Sequence, residues 1–534
     1  MKTRSLSSLF QDSPVQISQL TSGTWLIDFG RVAFGNLHLL IPAGNAGELK
    51  IHFGESLVNG RIDRNPPGAV RYACVAVGFS ENGGWQVVAP GPDRQNTEPQ
   101  AIALPAEWGV ILPFRWIEIE GWPQSVNFET SQIKRRAAYA TTWNDQAAAF
   151  ESSSEMLNRI WELCRYSIKA TTFAGIFVDG DRERIPYEAD AYLNQLSHYA
   201  CGPDPAMARA TFDHLMKSPT WPTEWASHMI FMAYADWMYT GDAQWVCERY
   251  EALHTKLMPG RERADGLITS NAAQIQQGDL VDWPPGERDD FELTAVNTVV
   301  NAFQYRALVL MAELAAGLGK TAAAESFRHR AGLLATAYHQ VFFDHARGIY
   351  RDGIGTNHAS QHANLFPLAF GLTPAAHQAT VLAYLKSKGM ACSVYAAQYL
   401  MEAFFQAGAA DHALQLMAAS GNRSWRAMVE SGTTITWELW DQSDRPKLSW
   451  DPRPDWTHAW GAAPANLLPR FVLGVQPLKP GYQRVAIRPQ LGALTWAKGV
   501  VPTVHGPIRV QARREAQGNI ALEVSAPSGV EIIR

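Results

Sequence analysis

The chain has 534 residues, 46% apolar and 18% charged, with 46 basic and 51 acidic side chains for a net charge of −5. Such a composition implies about two to four domains around a large core and excludes a disordered chain. The mild acidity and the lack of any basic run exclude a protein that tracks nucleic-acid phosphates.

The five cysteines, Cys74, Cys164, Cys201, Cys247 and Cys392, are scattered and include no CxxC pair, so neither a disulfide framework nor a structural zinc site is expected. The opening MKTRSLSSLFQDSP carries the positive charge of a signal peptide without its apolar stretch. The longest apolar run, around Met229–Tyr239, is too short to cross a bilayer and contains Asp236. These features predict a soluble, cytoplasmic protein with no membrane partner.

Residues 1–140 read as β structure. TWLIDFG (Thr24–Gly30), NLHLLIP (Asn36–Pro42), ELKIHFG (Glu48–Gly54) and RWIEIEG (Arg115–Gly121) alternate between apolar and polar positions, with Gly, Asn and Pro between the runs. The same texture returns in 473–534, in RVAIRP, PIRVQAR and NIALEVSAP. Both ends are expected to be β-sandwich domains.

Residues 141–472 change period. Helical segments are predicted at 152–173, 187–201, 204–217, 225–240, 242–258, 290–317, 320–342, 358–371, 374–388, 393–407, 410–420 and 457–470. Odd-numbered segments are amphipathic and charged, as in AQWVCERYEALHTKLM. Even-numbered ones are almost free of charge, as in SVYAAQYLMEAFFQ. A helix apolar all round must be enclosed by protein, so six inner helices alternating with six outer ones predict an (α/α)6 barrel. The fold class expected is thus multidomain α+β, a central (α/α)6 barrel between two β-sandwich domains.

The loops follow the same parity. Even-to-odd connections are brief (CGPD, TGD, GLGK, GLTP), whereas most odd-to-even connections are long and rich in Trp and carboxylates. Long loops on a compact scaffold are usually functional. Of the 19 tryptophans, each is most simply a core residue, but several stand in Pro/Gly-rich loops beside carboxylates. Such indoles resemble stacking platforms for sugar rings.

Three of these loops hold candidate chemistry. The first, Phe177–Asp190, places Asp179, Asp181, Glu183, Glu188 and Asp190 among Arg182 and Arg184, denser than helix capping requires. The second, from Gly278 to Glu287, offers Asp279, Asp282 and Trp283 as a rim that could bond hydroxyls and stack on a ring. The third, Val429–Asp441, sets Glu438 between Trp437 and Trp440. There poor solvation would raise its pKa for proton transfer, or else the Glu simply pairs with an arginine. His358 and His362 share a helix face but lack a third ligand, so no metal is expected. Two carboxylates on opposed loops of one aromatic funnel are what glycosidic cleavage needs, with their separation deciding between inversion and retention.

These residues resemble the inverting α-L-rhamnosidases of glycoside hydrolase family 78 along nearly the whole chain. The resemblance rests on DFGRVAFGNLHLLIPAG, FGESL, FRWIEIEG, DGDRERIPYEADAY, GTTITWELWD with its downstream His, and PGYQRVAIRPQLGALTWAKGVVPTVHGPI. It implies Glu183 as general acid and Glu438 as general base, with substrate contacts at Asp179, Arg182, Tyr187, Asp190 and His458. Trp225 and Trp283 stand where family members place stacking tryptophans, while Asp282, Trp437 and Trp440 complete the expected wall. The family commonly has Cys-Pro-Gln before the Arg, where this chain has Gly180-Asp181, and Trp where it has Tyr187.

The implied activity is single-displacement release of terminal α-L-rhamnose from small glycosides or oligosaccharides. Glu183 is expected to be held protonated by burial and neighbouring carboxylates. Another inverting (α/α)6 enzyme, a phosphorylase or glucuronyl hydrolase, and a non-catalytic sugar-binding protein are the alternatives. No calcium loop or nucleotide motif is present, so no cofactor is expected. The aglycone stays open, as does the oligomeric state, with a homodimer plausible.

Overall fold

The computed structural model describes residues 5–44, 46–443 and 454–534. It mixes sheet and helix, with strands at both ends and helices between. In the N-terminal sheet the strands Ser7–Asp12, Ile133–Ala140, Thr24–Ile41, Leu112–Glu120, Gly47–Gly54 and Tyr72–Phe79 pair in that order. Gln16–Thr21 and Gly84–Val88 also pair with Thr24–Ile41, and all of these pairings are antiparallel. The period-two pattern puts Ile27 opposite Ile117 and Phe53 opposite Ile117 on its other side, all buried. Register breaks between Asp28 and Ala33, where Arg115 grips both Asp28 carboxylate oxygens at 2.8 Å.

The helical region sorts as its charge pattern predicts. Val394–Gln406, which has Glu402 as its one charged residue, is buried at every position but its last. Ala375–Lys388 buries only Val381 and Leu385. Six largely buried segments pack in a ring: Glu188–Cys201 on His228–Thr240, then Thr298–Gly317, His362–Ala369, Val394–Gln406 and Pro464–Leu467, which returns to Glu188–Cys201. Against them lie Glu155–Ala170, Ala206–Lys217, Ala243–Leu253, Thr321–Phe342, Ala375–Lys388 and Ala410–Met417. Short polar side chains start several helices: Ser154, Asp242, Asn297 and Ser393 each accept a backbone N–H of the first turn.

Three predicted helices differ in extent. The segment expected at 290–317 begins only at Thr298, because Asn297 caps it. That expected at 358–371 shortens to His362–Ala369, which carries Pro367 inside. The last, 457–470, is a 3-10 turn Ala459–Ala462, a short helix Pro464–Leu467 and a π turn Leu468–Val472, since Pro464 and Pro469 each remove a backbone donor. Two further helices, Ala272–Gln277 and Trp425–Ser431, lie inside long loops.

At the C-terminal end, Ala149–Ser152 joins Trp496–Val501, Ile508–Arg514 and Ile520–Ser525 in one sheet, so a strand from just before the helix Glu155–Ala170 completes the terminal β unit. Ala497, Ile508 and Val510 share one core with the helices, whereas the N-terminal sheet has a core of its own. Among the described residues no helix is long and apolar enough to cross a membrane.

Candidate active site

Four loops that precede ring helices meet over a cavity of about 140 Å³. Asp179, Arg182, Glu183, Tyr187 and Asp190 enter from the first loop and helix start, and Trp221 and Trp225 from the next. Leu280 and Trp283 come from the third, and Glu438, His458 and Trp460 from the last. This is below the range typical of drug-sized ligands and on the scale of a single small ring.

The first loop is a tight excursion whose tip carries Arg182 and Glu183. Asp179 closes its neck: its N–H donates to the Ile185 carbonyl at 2.9 Å, and its Oδ1 accepts the Ile185 N–H at 2.9 Å. Gly180 has φ +149°, and a Cβ there would meet the Thr457 carbonyl oxygen at 2.7 Å, so no other residue fits. Arg184, at φ 54°, turns inward and donates to Asp181 Oδ1 through Nε (2.9 Å) and Nη2 (2.7 Å).

Arg182 links the two glutamates. Its Nη1 donates to Glu183 Oε1 at 3.1 Å, and its Nη2 lies 3.0 Å from Glu438 Oε1. Spanned by one planar guanidinium, the nearest carboxylate oxygens are no more than about 8 Å apart. Glu183 Oε2 accepts the Tyr187 hydroxyl at 2.6 Å. The burial expected around Glu183 is not found: its side chain keeps 31% exposure, because it stands at the cavity mouth.

Burial is found at Glu438 instead, which is fully enclosed. Trp283 donates its indole N–H to Glu438 Oε1 at 2.9 Å, and Trp460 donates to the Glu438 carbonyl at 2.9 Å. Burial raises the Glu438 pKa above the usual carboxylate value, opposed by the charges of Arg182 and His458. Asp179 is raised well above its usual value by the same burial. His458 is the reverse case. Burial pulls it down, but Asp190 at 2.8 Å and Asp455 at 3.7 Å outweigh that and hold it protonated well above its ordinary pKa.

Several buried polar atoms here have no hydrogen-bond partner among the described residues: Asp179 Oδ2, Arg182 Nε, Glu438 Oε2 and Trp225 Nε1. Buried groups of this kind call for an explanation, and a ligand or water held in the cavity would satisfy them. Glu438, Asp455 and His458 bring potential metal-ligand atoms within 4.8 Å of one another. His458 Nε2 is engaged with Asp190 and Glu438 Oε1 with Arg182, while Glu438 Oε2, Asp455 Oδ2 and His458 Nδ1 have no hydrogen-bond partner among the described residues.

Of the residues singled out from sequence, Asp179, Arg182, Glu183, Tyr187, Asp190, Trp225, Trp283, Glu438 and His458 line this one cavity. Three do not. Asp282 is buried, accepting from His362 Nε2 (2.6 Å), the Ser393 N–H (2.9 Å) and hydroxyl, and the Trp283 N–H (2.8 Å), so it holds Trp283 in place from behind. Its neighbour Asp279 is likewise consumed by Ser270 and Asn297. Trp437 borders a separate, larger groove. Trp440 is a core residue, donating to the Cys392 carbonyl and packed edge-on against Trp425. His358 and His362 are each bound to their own carboxylate, Asp352 and Asp282. Sequence reasoning missed Trp221, Leu280 and Trp460. Trp221 stands in the same SPTWPTEW loop as Trp225, and Trp460 two residues beyond His458.

Comparison with known proteins follows the same lines. Residues 145–472 match the bacterial alpha-L-rhamnosidase 6 hairpin glycosidase domain, and 474–533 match the bacterial alpha-L-rhamnosidase C-terminal domain. The first match covers well over half of the chain, which therefore belongs to this family, that of the glycoside hydrolase family 78 rhamnosidases. An alpha-L-rhamnosidase of Alteromonas sp. (strain LOR) is 22% identical over 577 residues, 98% of this chain and 58% of the relative. The GH78 rhamnosidase of Bacillus sp. GL1 superposes with a TM-score of 0.75 at 20% identity, over 97% of this chain and 54% of that one. The Streptomyces avermitilis alpha-L-rhamnosidase, solved with L-rhamnose, gives 0.76 at 17% identity, over 98% and 50%. The chain thus spans little more than half the length of these relatives.

Proposed function

We propose that this cavity hydrolyses terminal α-L-rhamnosides by single displacement, on a chain divided into 1–140, 141–472 and 473–534. The ring of six buried helices inside amphipathic ones supports an (α/α)6 barrel for the middle part, and the paired strands support β sandwiches for the outer two. The observation that carries the reading is the pair Glu183 and Glu438 tied to one guanidinium, with Glu438 Oε2 buried and unpartnered at a tryptophan-walled cavity of monosaccharide size.

In this reading Glu183, half-exposed at the mouth, protonates the departing glycosidic oxygen. Glu438 takes a proton through Oε2 from water on the opposite face of the ring. The ceiling of about 8 Å between their oxygens admits the roughly 6.5–9.5 Å spacing of inverting pairs and equally the roughly 5–5.5 Å of retaining ones, so inversion rests on the family resemblance and is decided by the product anomer. Asp179, Arg182 and Asp190 bond the sugar hydroxyls. Among the described residues the cavity's cations, Arg182 and His458, are both engaged by carboxylates, which favours hydrolysis over the phosphate binding a phosphorylase needs. The Streptomyces relative's bound L-rhamnose supports a rhamnose-containing substrate.

Release of nitrophenol from 4-nitrophenyl α-L-rhamnoside, run beside other nitrophenyl glycosides with and without phosphate, tests the substrate and the reaction. Proton NMR of the first-formed sugar anomer tests inversion. No release from the rhamnoside, or rates that require phosphate, would overturn the reading.

A further inference from the structure

The N-terminal sheet reaches the acidic loop through Arg71, which directly precedes the strand Tyr72–Phe79. Arg71 Nε lies 2.7 Å from Asp181 Oδ2, while its Nη2 pairs with Asp93. Its backbone is fixed by a reciprocal exchange with Glu55: the Arg71 N–H donates to Glu55 Oε1 at 2.6 Å, and the Glu55 N–H donates to the Arg71 carbonyl at 3.2 Å. Asp181 is only 1% exposed and is gripped on its other oxygen by Arg184. Arg184 in turn donates to the Ile111 carbonyl at 2.7 Å and accepts the Ile102 N–H on its own carbonyl at 3.0 Å. A further backbone bond joins the Ala69 N–H to the Pro454 carbonyl at 2.8 Å. Asp181 stands two residues before Glu183.

We propose that Arg71 is a positioning residue for Glu183: through the buried Asp181 the N-terminal β region holds the loop that delivers the acid. This inference rests on the hydrolase reading above. The physical reason is compensation. Asp181 is a buried carboxylate between two arginines, and a loop built around it keeps its shape only while both guanidiniums are present. A neck closed by Asp179 and Ile185 alone leaves the tip free to shift, and small displacements of a proton donor are costly.

The test uses the full chain and two α-L-rhamnosides, one with a 2,4-dinitrophenyl leaving group that departs unprotonated and one with a methyl leaving group that must be protonated. A displaced Glu183 predicts that Arg71→Met lowers kcat on the methyl glycoside at least about tenfold more than on the dinitrophenyl one. Arg71→Lys, which keeps the charge without the fork, should restore part of the difference. Equal losses on both substrates, or none in a variant with wild-type circular dichroism and Tm, would overturn the proposal. If Arg71→Met fails to fold, Arg71→Lys alone must show the same split in smaller degree, and equal rates there count against it. If the wild-type protein cleaves neither glycoside, the hydrolase reading fails. The positioning role is then decided by amide hydrogen exchange across 179–185, which must quicken in Arg71→Lys. Unchanged exchange would end the proposal.

Discussion

Glu183 and Glu438 share one guanidinium yet sit in opposite surroundings. Glu183 stands on the tip of a short loop at the cavity mouth, partly in water, with Tyr187 and Arg182 as partners. Glu438 lies at the bottom, out of water, with the Trp283 indole on one oxygen and, among the described residues, no hydrogen-bond partner on the other. The contrast teaches that two identical side chains acquire different tasks from their exposure. A group at the mouth can meet a leaving group that extends into solvent, whereas a group sealed below can hold one water against the sugar's far face.

The strongest way to break this comparison is to remove each carboxylate charge in turn. Glu438→Gln and Glu183→Gln are each expected to lower kcat at least about a hundredfold, the lower end for acid–base groups. They should differ in kind: the Glu183 variant should recover on substrates with acidic leaving groups, and the Glu438 variant should not. Steady-state kinetics on a leaving-group series reads both, and near-normal turnover in either folded variant removes that residue from its role.

Next in size is Arg182→Met. Arg182 lowers the Glu438 pKa against the effect of burial, so without it the carboxylate ionises at higher pH. The acidic limb of kcat/KM should move upward, together with a rise in KM. A limb that stays in place would show that the bridge between the two glutamates does not set the ionisation of the buried one.

Trp283→Phe keeps the wall but removes one hydrogen bond to Glu438 Oε1. A bond of this kind to a charged group is worth about 1.5–3 kcal/mol, so kcat/KM should fall by roughly ten- to 150-fold, with an upward shift of the acidic limb. Loss of activity without that shift would assign Trp283 to stacking alone.

The smallest effect concerns stability. Burial, with Asp279 adding to it, raises Glu224 from 4.5 to about 7. Its folded-state pKa lies above its unfolded value, so the folded chain binds the extra proton and stability declines as pH rises between about 4.5 and 7. Glu438 and Asp179, raised by burial, and His458, held protonated by its carboxylates, act in the same direction. Glu224→Gln should therefore flatten, without abolishing, the fall of Tm with pH across that window. An unchanged slope would refute the assignment.

How far the site was legible before the fold depends on where each side chain's partners come from. The acidic loop could be read as a unit because its neck, its tip and the helix start at Asp190 fall within a dozen residues. Asp282 could not. Its partners His362 and Ser393 lie 80 and 111 positions onward, and they turn it from a rim residue into a buried prop for Trp283. Trp437 and Trp440 flank Glu438 along the chain, but an irregular loop follows neither helix nor strand period, so sequence adjacency says nothing of which way an indole points. Trp460 escaped notice inside an apolar run where an indole is ordinarily core.

By itself the sequence determined which segments are enclosed and which face water, since an uncharged helix has no stable place except among other helices. It also determined the β texture of both ends and the loops in which the carboxylates gather. Tertiary structure alone decided that Glu438 is sealed while Glu183 is not, that one arginine spans them, and that Arg71 of the N-terminal sheet reaches Asp181. Those outcomes depend on contacts between residues as far as 256 positions apart, as Arg182 and Glu438 are. Their strengths come from burial and distance, quantities that exist only once the chain has closed on itself.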